Sequence, residues 1–150
     1  MKIFLRILAI IVLLCILACG CLKGKQHYTI DLIVKGTETE FWQSVYEGAK
    51  AAAAVYHAQV SMFGPEVEKD YRRQVQTIEQ SIARSPDAII LASADYNLMS
   101  KPMEKAVDTG IPVIIVDSSV ASDRWVSAIT TDNYAAGREL AKELIARTKN

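Results

Sequence analysis

Three short stretches hold most of the groups in this chain that could do chemistry. They are KGTETEFW at 35–42, ASADYN at 92–97 and DSSVASD at 117–123. They supply carboxylates, hydroxyls and one adjacent aromatic pair. A carboxylate accepts hydrogen bonds from neighbouring hydroxyls, and an aromatic face stacks on the C–H face of a sugar ring. No cluster of cations matches a phosphate. The inventory therefore suits a neutral polyhydroxyl ligand.

Other chemistries lack their parts. Gly36 stands alone after an apolar run, without the glycine-rich turn that a dinucleotide or phosphate loop needs, so no cofactor is expected. The body has only two histidines, His27 and His57, no cysteine and no G-x-S-x-G elbow. His57 closes a helical pattern and reads as structural. Asp117, Asp123 and Asp132 are spaced as ordinary loop acids, so no metal is expected. Neither catalysis nor a catalytic residue is expected. The 17 basic and 17 acidic residues cancel, and no basic stripe stands out. Nucleic acid is not an expected partner.

The first stretch has a second reading. Thr37 and Glu40 have the T-x-x-E spacing of a capping box at a helix start. Thr39 caps instead if the helix begins two residues later. The glutamates then serve the helix dipole. Trp42 shares the apolar helix face, whereas Phe41 lies off it.

The elements that must position these stretches follow from periodicity. Apolar, β-branched runs recur at 28–34, 59–63, 88–92 and 113–116, with a shorter strand-like run at 125–129. Helical periods lie between them. Trp42, Val45, Ala49, Ala52, Ala53 and Tyr56 share one face. Tyr71, Val75, Ile78 and Ile82 share another, and Met99, Met103, Ala106 and Val107 a third. Gly110 reads as a helix C-terminal cap and Pro112 bars further helix. The expected fold is α/β, a Rossmann-like or flavodoxin-like parallel sheet covered by helices on both faces. Ligands of such a sheet bind beyond the carboxyl ends of the strands, where the three polar stretches fall. A last helix begins after Thr131 or Asp132. Its apolar face, Gly137, Leu140, Ala141, Leu144 and Ile145, has no obvious partner in the four-stranded unit.

The start of the chain differs from the rest. MKIFLR carries two positive charges, and twelve apolar residues follow from Ile7 to Ala18. This pattern reads as an export signal, too short to span a bilayer comfortably. Removing Lys2 and Arg6 from the 17 basic residues leaves 15 against 17 acidic. All 3 cysteines, Cys15, Cys19 and Cys21, lie in this segment, so the body can form no internal disulfide. ILAC and ACGC both resemble the lipobox of bacterial lipoproteins. Cys19 is the preferred lipidated residue and Cys21 the fallback; the lipid would anchor the domain to a membrane.

The body, from about Tyr28 to Lys149, resembles the bacterial periplasmic sugar-binding proteins of the ribose-binding type. IDLIVKGTETEFWQSVYEGAKAAA resembles the family's first strand and helix. QVQTIEQSIARSPDAIILASAD resembles the second helix and third strand. AVDTGIPVIIVDSSV and ITTDNYAAGRELAKELI resemble the crossing to a second lobe. The resemblance implies a bilobal receptor that closes over a monosaccharide and delivers it to the membrane subunits of an ABC importer. It places ligand contacts at Lys35, at Thr39, on the pair Phe41 and Trp42, at Asp95, and at Asp117 with Ser118. It places the hinge at Asp132 and Asn133. Thr39 and Glu40 stand where relatives often have asparagine and proline. Ser118 stands where some have arginine, which argues against assuming ribose.

The expected organisation is a signal with lipobox at 1–21, a tether at 22–27, an N-terminal lobe at 28–120, and a hinge crossing with the first helix of a second lobe at 121–150. The family's length is close to twice this one, so the chain reads as a fragment that alone binds sugar weakly or not at all. The expected location is the outer face of the cytoplasmic membrane or the periplasm. Rival readings are a receptor serving a chemoreceptor or sensor kinase, the effector domain of a sugar-responsive regulator, and an enzyme on a similar sheet.

Overall fold

The structure, a computed structural model, describes residues 27–148. The expected signal and both lipidation candidates, Cys19 and Cys21, lie outside the described residues. Five strands form one parallel sheet in the order β2-β1-β3-β4-β5. They are β1 (Tyr28–Ile33), β2 (Ala58–Phe63), β3 (Ala88–Leu91), β4 (Val113–Val116) and β5 (Ser127–Ile129). The helices are α1 (Glu40–Val55), α2 (Tyr71–Arg84), α3 (Ser100–Asp108) and α4 (Asn133–Thr148). β5 pairs with β4, Ile115 opposite Ala128, so the sheet runs past residue 120 into the segment expected to be the hinge crossing.

Alternation along the strands divides the core in two. Leu32, Val34, Val60 and Ala92 pack with Trp42 and Ala53 of α1 on one face. Ile33, Ile89, Leu91, Val113 and Ile115 pack with Ile78 of α2 and Met103 and Ala106 of α3 on the other. Each fully buried large apolar side chain contributes roughly 1.5–3 kcal/mol. The face of α3 follows the expected period; on α2 Ile78 is buried and Val75 and Ile82 pack beside it, but Tyr71 is exposed and Gln74, Thr77 and Ser81 are buried in the adjoining row. The face of α1 is narrower than its pattern suggested: Ala52 is exposed and Tyr56 is 74% exposed. α1 packs chiefly on β2 at the sheet edge, so only the part of its apolar stripe over the strands is covered.

The turns have local causes. Gly110 has φ +87° beyond the end of α3, a backbone that glycine adopts without strain. Gly64 ends β2 where a Cβ would lie 2.6 Å from the Val34 carbonyl oxygen, so no side chain fits. Asp132 caps α4 through a hydrogen bond from the Ala135 amide at 2.8 Å. No residue of α4 is buried, in keeping with the unpartnered apolar face read from sequence. Among the described residues no helix is long and apolar enough to cross a membrane.

Candidate functional site

The connections of β1 and β3 diverge. α1 carries the chain from β1 outward to β2 over one face of the sheet. α3 carries it from β3 the opposite way to β4 over the other face. A crevice opens at the carboxyl ends of two such neighbouring strands. Lys35 follows β1 on one side of it, and residues 93–95 follow β3 on the other.

Lys35 reaches toward the loop after β4. Its ammonium donates to Asp117 Oδ2 at 2.6 Å and to the Ser118 hydroxyl, which itself donates to Asp117 Oδ2 at 2.8 Å. Lys35 is half-buried, whereas Asp117 is open to solvent. Asp117 has φ +61°, a left-handed backbone that aspartate tolerates better than most residues but that still costs about 1 kcal/mol. Such strain is often held where function needs it. Burial opposes ionisation of Asp117, but the hydrogen bonds from Lys35 and Ser118 and the ammonium charge together outweigh it and hold the carboxyl below its usual range.

The aromatic pair divides. Phe41 is 58% exposed, and its ring meets that of Trp42 edge-on, with centroids 4.8 Å apart. Trp42, expected as a ligand contact, is placed in the core instead, 2% exposed. Its indole N–H donates to Glu68 Oε1 at 3.0 Å, and the Lys35 ammonium lies 6.0 Å from its ring centroid. Trp42 therefore supports Lys35 and Phe41 from beneath.

Two further expectations change. The capping box of Thr37 and Glu40 does not form. Thr39 is the N-cap, accepting from the Trp42 amide at 3.4 Å, while the Thr37 hydroxyl donates to the Pro65 carbonyl. The helix starts at Glu40, two residues too late for Thr37. Thr39 thus serves α1 as well as standing at the cleft edge. Asp95 is also committed locally: its Oδ1 accepts from the amides of Asn97 and Leu98 at 2.9 and 2.8 Å. Asp132 and Asn133, the expected hinge, stand at the junction between β5 and α4.

Sequence reasoning missed two polar side chains at this edge. Glu68 holds Trp42, and its Cγ lies so close to Gly36 that a Cβ there would approach to 3.1 Å. Gln74 of α2 is wholly buried between the ends of β1 and β3. A glutamine outside the apolar stripe of α2 reads as surface, and its backbone partners lie 18 to 40 residues away. Among the described residues no group of three or more histidine, cysteine or acidic side chains gathers as a metal site.

Residues 30–150 match the model of a family described as periplasmic binding protein domain. The chain belongs to this family. It is 26% identical over 123 residues to the ribose import binding protein RbsB of Bacillus subtilis, covering 82% of this chain and 39% of that protein. It is 28% identical over 128 residues to the D-ribose/D-allose-binding protein of Pseudomonas aeruginosa, covering 80% and 40%. Among solved structures, it is similar to a carbohydrate transporter solute binding protein from Agrobacterium radiobacter in complex with D-arabinose. That match has a TM-score of 0.77 and 32% identity, over 84% of this chain and 42% of the other. The chain thus spans about two fifths of the length of these relatives.

Proposed function

We propose that this chain forms one lobe of an extracytoplasmic sugar receptor and holds one side of a neutral monosaccharide at the carboxyl edge of its sheet. The observation that carries this reading is the cluster of Lys35, Asp117 and Ser118, with Asp117 on a strained backbone. Its net charge is near zero, which favours a neutral ligand over an acidic one. Asp117 accepts from ligand hydroxyls, the Lys35 ammonium donates to a ring or carbonyl oxygen, and Phe41 stacks on the C–H face. Family membership and relatives named for ribose and allose support transport by an ABC importer. Its membrane subunits would receive the sugar, and the protein would bind without chemical turnover.

The lobe offers contacts to one side of the ligand only, so binding to this chain is expected in the millimolar range. The test is a titration of the isotope-labelled chain with D-ribose, D-allose and D-arabinose, followed by amide resonances. Shifts centred on Lys35, Phe41, Asp117 and Ser118 are expected. Shifts absent for all three sugars, or centred elsewhere, would overturn the reading. Anchoring belongs to the same proposal. Cys19, or Cys21 in its place, carries the lipid, and Cys19→Ser should abolish incorporation of a labelled fatty acid. Retained label in that variant would move the anchor to Cys21, and retained label in the double variant would remove it.

A further inference from the structure

Gln74 is polar, lies on α2 and is 0% exposed. A buried amide persists only where its donors and acceptor are met. Its Nε2 donates to the Val34 carbonyl at 3.0 Å and to the Ala92 carbonyl at 2.8 Å. Its Oε1 accepts from the Ala94 amide at 2.9 Å. Every strong hydrogen-bonding site on the NH₂ group is thus used, along with one lone pair of the oxygen.

The three partners have a common position. The β1–β3 ladder closes with the Ala92 amide on the Ile33 carbonyl at 2.9 Å. Beyond that bond the strands part, and the carbonyls of Val34 and Ala92 are left in the gap. Val34 directly precedes Lys35. Ala92 directly precedes the turn 93–95, whose Ser93 amide donates to the Ser118 carbonyl at 3.3 Å. One amide therefore ties the loop carrying Lys35 to the loop that touches Ser118, at the floor of the crevice. Lys35 and Ser118 are two of the three polar groups in the candidate site. The anchor of Gln74 is itself rigid, because Ile78, one turn further along α2, is buried in the core.

We infer that Gln74 is a positioning residue for the sugar site: its side-chain amide fixes the spacing of the Lys35 loop and the 93–95 loop across the β1–β3 crevice. The inference rests on the sugar-binding reading above for its function, but its geometry can be tested without ligand. Gln74→Glu keeps the shape and the acceptor for Ala94. When ionised, it sets a carboxylate against two carbonyl oxygens; when protonated, it can donate to one of them. Gln74→Met keeps length and apolar volume and removes all three hydrogen bonds.

The measurements are amide hydrogen exchange, thermal melting and titration with D-ribose, D-allose and D-arabinose. In Gln74→Met, exchange should quicken at Ala94, and the amides of Lys35 and Gly36 should shift with it, although they make no bond to Gln74. A change confined to Ala94 would overturn the inference whether or not any sugar binds. In Gln74→Glu, sugar affinity should fall at least ten-fold as pH rises through the titration of the introduced carboxyl, over a range where the parent stays flat. If melting falls with pH while affinity stays flat, Gln74 supports the fold alone and the inference fails. If the parent binds none of the three sugars, the sugar reading fails, and the exchange experiment still decides the role of Gln74.

Discussion

Asp31 and Asp117 each meet a cation and a serine, one inside the sheet and one beyond its end. Asp31 sits in the regular backbone of β1 and is 6% exposed. Its Oδ2 accepts from Ser81 at 2.6 Å and from Arg84 Nη2 at 2.7 Å, and the Arg84 guanidinium stacks 4.0 Å from the Phe63 ring centroid. Asp117 has the same kind of partners, but it stands in solvent on a left-handed backbone. The chemistry is shared and the exposed partner is exchanged: the side chain of Arg84 is 40% exposed beside a buried Asp31, and that of Asp117 is 42% exposed beside a half-buried Lys35. A buried carboxylate on a relaxed backbone, with its cation at the surface, ties α2 to β1. An open carboxylate on a strained backbone leaves lone pairs that a ligand can reach.

The largest effect should come from the inner pair. Asp31→Ala leaves the buried Ser81 hydroxyl without its acceptor and Arg84 without its counter-charge. It should lower stability in urea by about 2–3 kcal/mol, with the Lys35 and Ser118 resonances unmoved. A loss under about 0.5 kcal/mol, the range of ordinary surface changes, would erase the contrast. Next comes the ring beside the outer pair. Phe41→Ala should weaken sugar binding by about 1 kcal/mol, roughly five-fold, and leave melting nearly unchanged because the ring is exposed. Glu38→Gln should do neither. The reverse order in the titration would sink the assignment of Phe41 as the stacking platform.

The inner and outer clusters also differ in how far they could be read from sequence. Val113–Val116 was legible to the residue, because Pro112 and Asp117 bracket a continuous β-branched run. The family resemblance singled out Lys35, Asp117 and Ser118, and the stretches holding them were legible because strand ends locate the cleft in any such sheet. That Lys35 would bond to both of the others was not, since 82 residues separate it from Asp117. The Asp31–Arg84 pair, 53 residues apart, was missed for the same reason: Asp31 reads as one polar residue in an apolar run. Trp42 carried two signals, an aromatic beside the cleft and a member of a helical stripe, and burial followed the stripe. Thr37 and Thr39 both offered a cap, and only the backbone of the Gly36 turn, packed on Glu68, decides between them.

Backbone strain offers a smaller test of the same contrast. Asp117→Gly removes the carboxylate and also the cost of a left-handed aspartate. An exposed ion pair contributes about 0–1 kcal/mol, so the two changes should nearly cancel and leave stability within about 1 kcal/mol of the parent. The sugar-induced shifts at Ser118 should vanish. A clear destabilisation would mean that the outer pair holds the fold as the inner one does.

The smallest effect is the pH dependence of the outer pair. The folded carboxyl of Asp117 titrates below its usual 3.8, so the folded state binds that proton less readily than the unfolded chain. Its stabilisation is fully present above the unfolded value and is lost as pH falls through the lower folded value. The stability difference between the parent and Asp117→Asn should therefore be constant at neutral pH and shrink in acid below 3.8. Added salt separates the two clusters further. An exposed carboxylate is screened within a Debye length of about 10 Å at 0.1 M, and a buried one less. Salt should shrink the Asp117→Asn difference more than that of Asp31→Asn, whose carboxylate is buried although Arg84 is not. If salt acted equally on both, exposure would not be what distinguishes the site from the brace.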